Sequence, residues 1–276
     1  MPLTPTETKA LLEELGHWPD KRLGQNFLVD GNLVRKSLEM AALPASSQVV
    51  EVGPGLGSLT GALLDAGHQV YAVERDAALA NHVRSSKAEA LESGQLVLSE
   101  GDAMDLPVAG LPDGDAEFYV VANLPYAIAS PWLEAVLAHD RLPARMVLML
   151  QKEAADRYQA EAGTKNFGAL TIFLASIFEV TGSHAVSKTC FYPQPEVDSV
   201  LLRLDRKKAP CPLPKETREL IRRLFTRRRK QIGGLARTEE AKTRAVIESW
   251  LSDQNLSPTL RPEQIAAAAW QQLHLT

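Results

Sequence analysis

Glu51-Val52-Gly53-Pro54-Gly55-Leu56-Gly57-Ser58 joins the end of an apolar, β-branched run to the start of a helical pattern. Glycine has no Cβ, so such a strand-to-helix turn lets a ligand approach main chain at the carboxyl edge of a sheet, where α/β folds bind their ligands. Outward from this turn, short β-rich runs alternate with helical patterns. Strands are expected at 48–52, 69–74, 95–100, 117–123, 144–150, 179–183 and 198–205. Helices are expected at 58–66, 77–91, 131–138 and 151–161, with Ser58 and Ser130 placed to cap their starts. The alternation predicts a doubly wound α/β fold around a seven-stranded, mainly parallel sheet.

The spacing of the glycines narrows the ligand. A dinucleotide fingerprint needs a glycine five residues after the first, but that position is Ser58 counted from Gly53 and Thr60 counted from Gly55. No GK[ST] follows either, so pyrophosphate recognition, and with it a nicotinamide oxidoreductase, is disfavoured. A glycine turn followed by an acid ending the second strand suits an adenosyl cofactor without phosphates. That acid is Glu74, whose carboxylate can accept from both ribose hydroxyls. Asp102, after the third strand, occupies the next loop on the same edge and can accept from an adenine amino group. Taken singly, either acid reads equally well as solvated surface; the glycine turn in register with them favours the cofactor.

The fourth strand runs into Asn123-Leu124-Pro125-Tyr126. This tetrapeptide fits one chemical problem: the lone pair of an adenine N6 is delocalised into the ring, and attack on a sulfonium methyl needs that nitrogen held and reoriented. The Asn123 side-chain oxygen and the Leu124 carbonyl can take the two amino hydrogens. Pro125 stiffens the turn, and Tyr126 can stack on a flipped base. Catalysis would be positioning plus stabilisation of charge developing on N6, with no protein nucleophile. The plainer reading, a strand-ending turn with an ordinary Tyr, does not explain its place three strands after the glycine loop. The six histidines show no ligand spacing, and two cysteines make neither a disulfide framework nor a zinc site; no metal is expected.

No stretch approaches the roughly 20 apolar residues of a membrane helix, and the start has no basic-then-apolar signal pattern, so a cytoplasmic protein with no membrane partner is expected. Charge is uneven. The net charge is −4, yet residues 206–244 hold fourteen Lys/Arg against four acids. Pro210, Pro212 and Pro214 break the pattern there, predicting a boundary near 208, with a catalytic domain over 1–208 and an all-helical domain over 209–276. Helices are expected at 216–225, 239–251 and 262–273. Within that part Arg222, Arg223, Arg227, Arg228, Arg229 and Lys230 repel one another unless a polyanion neutralises them, which suits RNA; the alternative is a solvated helix face.

With these residues in hand the chain resembles the ribosomal RNA adenine dimethyltransferase family, bacterial small-subunit methyltransferases and their relatives, from about Lys21 to the end. The resemblance adds Leu23-Gly24-Gln25-Asn26-Phe27-Leu28, Phe191-Tyr192-Pro193-Gln194-Pro195-Glu196-Val197-Asp198-Ser199, Leu224-Phe225-Thr226-Arg227-Arg228-Arg229-Lys230 and Arg261-Pro262-Glu263-Gln264-Ile265 to the two motifs above. It implies a Rossmann-like class I methyltransferase using S-adenosylmethionine. Asn26 and Leu28 would meet the methionine moiety, Gly53 the glycine-loop contact, Glu74 the ribose, Asp102 the adenine, and Asn123 both cofactor and target. Phe191 would sandwich the flipped base against Tyr126. The implied reaction places two methyl groups on each of two adjacent adenines in a hairpin near the 3′ end of small-subunit (16S) rRNA, coupled to assembly of the small subunit, by a monomer. Two further readings are a large-subunit methyltransferase of the antibiotic-resistance type and an assembly factor without catalysis; the helical C-terminal part disfavours the first, and intact Glu74, Asn123 and Tyr126 the second. Residues 1–20, Glu196 and Gly233-Gly234 depart from the family pattern.

Overall fold

The structure is a computed structural model that describes residues 2–19 and 24–275; Lys21 and Leu23 lie outside the described residues. It opens with α1 (Pro5–Glu14), β1 (Phe27–Leu28) and α2 (Gly31–Ala41). The alternating part follows as β2 (Gln48–Val52), α3 (Ser58–Asp65), β3 (Gln69–Glu74), α4 (Ala77–Ser86), α5 (Ala88–Glu92), β4 (Leu96–Glu100), β5 (Phe118–Asn123), α6 (Ala129–Leu137), β6 (Arg145–Gln151) and α7 (Lys152–Tyr158). Then come α8 (Ala169–Ile177), β7 (Phe178–Val186), β8 (Phe191–Tyr192), β9 (Ser199–Arg206), α9 (Lys215–Thr226), α10 (Ile232–Ala236), α11 (Ala241–Asp253) and α12 (Ala267–Trp270). Among the described residues no helix is long and apolar enough to cross a membrane.

Seven strands form one sheet in the order β4-β3-β2-β5-β6-β9-β7. β2 to β6 pair in parallel, and β9 returns antiparallel to β6. This is the seven-stranded, mainly parallel sheet of a doubly wound α/β fold that the alternation predicted. Strands buried on both faces must be apolar at every position rather than at every second one. Val49, Val50 and Val52 of β2 and Val70, Tyr71, Ala72 and Val73 of β3 meet that demand, and the buried Glu51 of β2 is an exception. The chain steps outward from β2 to β4 and then crosses to β5 on the other side of β2. The crevice at this reversal of strand order is where such sheets bind ligands, and the glycine turn and Asn123 flank it.

Local details depart from the expected pattern. Ser58 is the first residue of α3, whose N-cap is Gly57 without a side-chain bond, and the Ser58 hydroxyl lies 3.5 Å from the Leu28 carbonyl instead. Ser130 lies inside α6, capped at Ile128. The helix expected over 77–91 breaks at Lys87, which is non-helical and sends its side chain over Gly57 and Gly61. Extended backbone at Ile265 and Ala266 likewise divides the helix expected over 262–273.

The chain divides into two compact units, residues 1–155 with 180–206, and residues 156–179 with 207–276. The single boundary expected near 208 is therefore one of three crossings. Segment 156–179, placed in the first domain by the sequence, belongs to the second unit because its apolar side chains complete that unit's core. There Phe167 meets Phe225 (6.2 Å between ring centres), Phe225 meets Trp270 (5.7 Å) and Trp270 meets Trp250 (4.8 Å). α8, almost wholly buried, packs against α9 and α12.

Candidate active site

One cavity opens at the carboxyl ends of β2, β3 and β5. Asn26, Leu28, Gly53, Glu74, Asp102 and Asn123, distant in sequence, all line it. The turn after β2 can pass close to the tetrapeptide because Gly53 has φ 68° and no side chain; a Cβ there would meet the Pro125 ring at 3.3 Å. Gly24 does the same on the opposite wall. With φ 66°, it lies so close to Tyr126 that a Cβ would fall 2.9 Å from the Tyr126 main-chain nitrogen.

Glu74 ends β3 with only 6% of its surface exposed. Its Oε2 accepts from Gly55 N–H (3.1 Å) and its Oε1 from Asp76 N–H (3.0 Å), so the glycine turn and the turn after β3 both fix the carboxylate. Burial raises its pKa, and these main-chain donors oppose the rise. Each oxygen keeps a lone pair for a further donor. Asp102 accepts from Met104 N–H (2.9 Å) and stands 3.3 Å from Arg75. Glu51 is buried, its Oε2 makes no hydrogen bond among the described residues, and burial pushes its carboxyl up to about 8 against the opposing influence of Thr60. Among the described residues the acids Glu74, Asp76 and Asp102, the protonated Glu51 and the base Arg75 line the cavity.

Asn123 closes β5. Its Nδ2 donates to the Asn26 carbonyl at 2.9 Å, and Asn26 Nδ2 donates to the Gly24 carbonyl at 3.0 Å. With the amide nitrogen so engaged, Oδ1 is the remaining acceptor of the side chain, without a partner among the described residues. The Leu124 side chain is buried, and of the tetrapeptide only Asn123 and Pro125 line the cavity among the described residues. Tyr126 is half-buried, its hydroxyl 2.5 Å from Ser199 Oγ; burial raises its pKa, and the hydrogen bond to Ser199 opposes the rise. Phe191 is 1% exposed and packs in the apolar core with Leu28, Val34 and Val186. Antiparallel pairing of β8 with β1 sets it beside Leu28, which lines the cavity, while Tyr192 faces the other side.

Among residues the sequence reading did not single out, Gln25, Phe27, Arg75, Asp76 and Ile128 also line the cavity. Gln25 and Phe27 stand within a quoted motif, and Asp76 follows Glu74 closely; Ile128 left no such signal.

The basic cluster lies in the second unit and divides by role. Arg222 stacks over Phe173 (5.2 Å), Arg223 bonds Glu239 (2.9 Å), and Arg228 donates to the carbonyls of Lys165 and Phe167 and faces Glu263 at 3.4 Å. Arg227, Arg229 and Lys230 are exposed in the turns after α9. Gly233 and Gly234 fall inside α10, where a Cβ on Gly233 would strike Pro258 at 2.8 Å, so close packing accounts for the first of them.

A family model described as ribosomal RNA adenine dimethylase matches residues 17–269. The chain belongs to the ribosomal RNA adenine dimethylase family. It is 52% identical over 276 residues to a protein of Opitutus terrae named ribosomal RNA small subunit methyltransferase A, covering 100% of this chain and 99% of that one. A Nocardia farcinica protein of the same name is 37% identical, covering 98% of this chain and 94% of the other. Among solved structures, a dimethyladenosine transferase from Plasmodium falciparum superposes with a TM-score of 0.71 at 26% identity, over 90% of this chain and 95% of that one. A 23S rRNA methyltransferase shares the fold, with a TM-score of 0.61 at 23% identity over 90% and 98%. Family membership makes the chain a methyltransferase acting on adenine in ribosomal RNA.

Proposed function

We propose that this enzyme dimethylates N6 of two adjacent adenines in a hairpin near the 3′ end of 16S rRNA, acting as a cytoplasmic monomer during small-subunit biogenesis. The observation that carries the reading is the Asn123 amide, pinned through its nitrogen to the Asn26 carbonyl at the mouth of an acid-lined cavity. The donor set fits S-adenosylmethionine: a fixed double acceptor in Glu74 for a ribose diol, a carboxylate in Asp102 for an adenine amine, and main chain at Gly53 that carries no side chain. Asn26 and Leu28 would hold the methionine end. When bound, that cofactor supplies a methyl group on a positively charged sulfur.

The chain's own residues do the rest. Asn123 Oδ1 and the Leu124 carbonyl accept from the two N–H groups of N6 before the first transfer, and one of them accepts from the single N–H left before the second. Each time they turn the lone pair toward the cavity, and the proton that N6 loses after each transfer passes to water. Both oxygens then stabilise the positive charge that N6 gains as the bond forms. Tyr126, its hydroxyl held by Ser199, offers the base a ring face. Arg227, Arg229 and Lys230 dock the rRNA through phosphate contacts.

The test is incubation of the protein with isotopically labelled S-adenosylmethionine and unmethylated small subunits, and in a parallel reaction with large subunits, followed by mass analysis of nuclease fragments. The expected product is N6,N6-dimethyladenosine at two adjacent positions of one fragment. Label confined to large-subunit rRNA, or no label in adenosine, would overturn the proposal.

A further inference from the structure

The family match begins at residue 17, yet α1 precedes it and is firmly attached to the first unit. Leu12 is 3% exposed and packs with Phe27 and Leu79, and Leu56 lies against the same cluster. Phe27, Leu56 and Leu79 are also cavity walls. At the end of α1 the chain turns back, with His17 N–H donating to the Leu12 carbonyl at 2.9 Å. This turn delivers the His17 ring, 8% exposed and edge-on to Phe27, between two parts of the cavity wall.

The ring nitrogens face both parts at once. Nε2 stands 3.1 Å from Gln25 Oε1, and Nδ1 stands 3.4 Å from Asp76 Oδ2. Gln25 adjoins Asn26, whose carbonyl holds the Asn123 amide. Asp76 gives its N–H to Glu74 Oε1 and caps α4 by accepting from Ala78 and Leu79 N–H. Imidazole donates from both nitrogens when charged; when neutral it donates to the carboxylate and accepts from a turned Gln25 amide. Either assignment makes the same bridge.

We infer that His17 is a positioning residue that ties the Gln25–Asn26 loop to the Glu74–Asp76 turn, with α1 as its mount, so that the two walls meet the cofactor already at their bound spacing. A site ordered in advance loses less freedom on binding, and the saving appears as affinity. The inference rests on the proposed reading of the cavity as an S-adenosylmethionine site.

The test compares His17→Phe, which fills the apolar space without a polar atom, with His17→Gln, which keeps a donor and an acceptor. Binding of S-adenosylhomocysteine is measured by calorimetry on the full chain, and main-chain hydrogen exchange over residues 25–28 is measured on the free protein. His17→Phe, which loses both contacts of the ring, is expected to weaken binding about tenfold, the equivalent of roughly 1.4 kcal/mol, and to speed exchange. His17→Gln is expected to recover most of both. Affinity unchanged in His17→Phe, or lost equally in His17→Gln, overturns the tie. Should the Phe variant fold poorly, His17→Ala is read in its place by the same criteria. An unaltered chain that does not bind at all overturns the cofactor reading instead, and exchange over 25–28 then still reports whether His17 holds the loop.

Discussion

Glu74→Gln replaces a double acceptor with a group that has one acceptor oxygen and one donor nitrogen. In the unaltered turn Gly55 N–H meets Oε2 at 3.1 Å and Asp76 N–H meets Oε1 at 3.0 Å. Whichever way the new amide is turned, one of those N–H groups then faces another N–H. The side chain is 6% exposed, so water does not readily replace the lost partner. A hydrogen bond to a charged acceptor contributes about 1.5–3 kcal/mol. Losing one bond in the turn or to the ribose, if the loss fell wholly on the bound state, would weaken cofactor binding about 10- to 150-fold. Part of it falls on the free protein, because the bonds to Gly55 and Asp76 are present there, so the melting temperature should drop as well. Calorimetry with S-adenosylhomocysteine measures the first effect and a thermal melt the second. Methyl transfer at saturating cofactor should recover most of the unaltered rate, since Glu74 does not touch the target base. An unchanged Kd would refute the assignment of Glu74 to the ribose.

Four further expectations rest on particular contacts. Tyr126→Ala should slow methyl transfer about 5- to 150-fold, the equivalent of about 1–3 kcal/mol of base stacking, with cofactor affinity kept; a variant that unfolds would make Tyr126 a core residue. Tyr126→Phe, which loses only the hydroxyl bond to Ser199, should lose far less. Neutralising Arg227, Arg229 and Lys230 together should weaken small-subunit binding and flatten its log–log salt dependence by roughly two to three; an unchanged slope would dispose of the docking role. Glu51 stays protonated in the fold up to about pH 8 but ionises at ordinary carboxylate pH when unfolded, so its contribution lowers stability as pH rises through that window and levels off above it. Glu51→Gln should therefore gain stability over the unaltered chain between pH 5 and pH 8 in denaturant melts, and a difference independent of pH would contradict the buried, protonated state.

The parts of this fold that were legible in the sequence are those whose signal is local. β2 and β3 begin and end where their apolar runs do, because a strand covered on both faces needs apolar residues throughout and the glycine turn and Glu74 mark its end. Gly53, Glu74, Asp102 and Asn123 were legible for the same reason, since each stands at or just after the end of a strand on one edge of one sheet, whereas Asn26 and Leu28 came only with the family resemblance. Elements set by distant partners were not. β1 and β8 are two residues each and exist only because Phe27–Leu28 meets Phe191–Tyr192 from the far end of the unit, and that pairing buries Phe191. α8 is apolar on every side, so it shows no helical period to read and instead reports its place in a core. Arg228 is indistinguishable from Arg227 and Arg229 along the chain, and its structural duty appears only when Lys165, Phe167 and Glu263 are in place. His17 is one of six histidines without ligand spacing, and its bridge depends on a turn after α1 that no motif announces.

The grip of Asn123 on the adenine amine is tested most directly by single-turnover methyl transfer to unmethylated small subunits, with Asn123→Ala compared to the unaltered enzyme at saturating S-adenosylmethionine. Removing a preorganised acceptor aimed at developing charge should slow transfer about 100- to 1,000-fold, while S-adenosylhomocysteine binds only modestly more weakly. A rate within a few-fold of the unaltered enzyme would mean that another group holds N6, and the account of this site would fall.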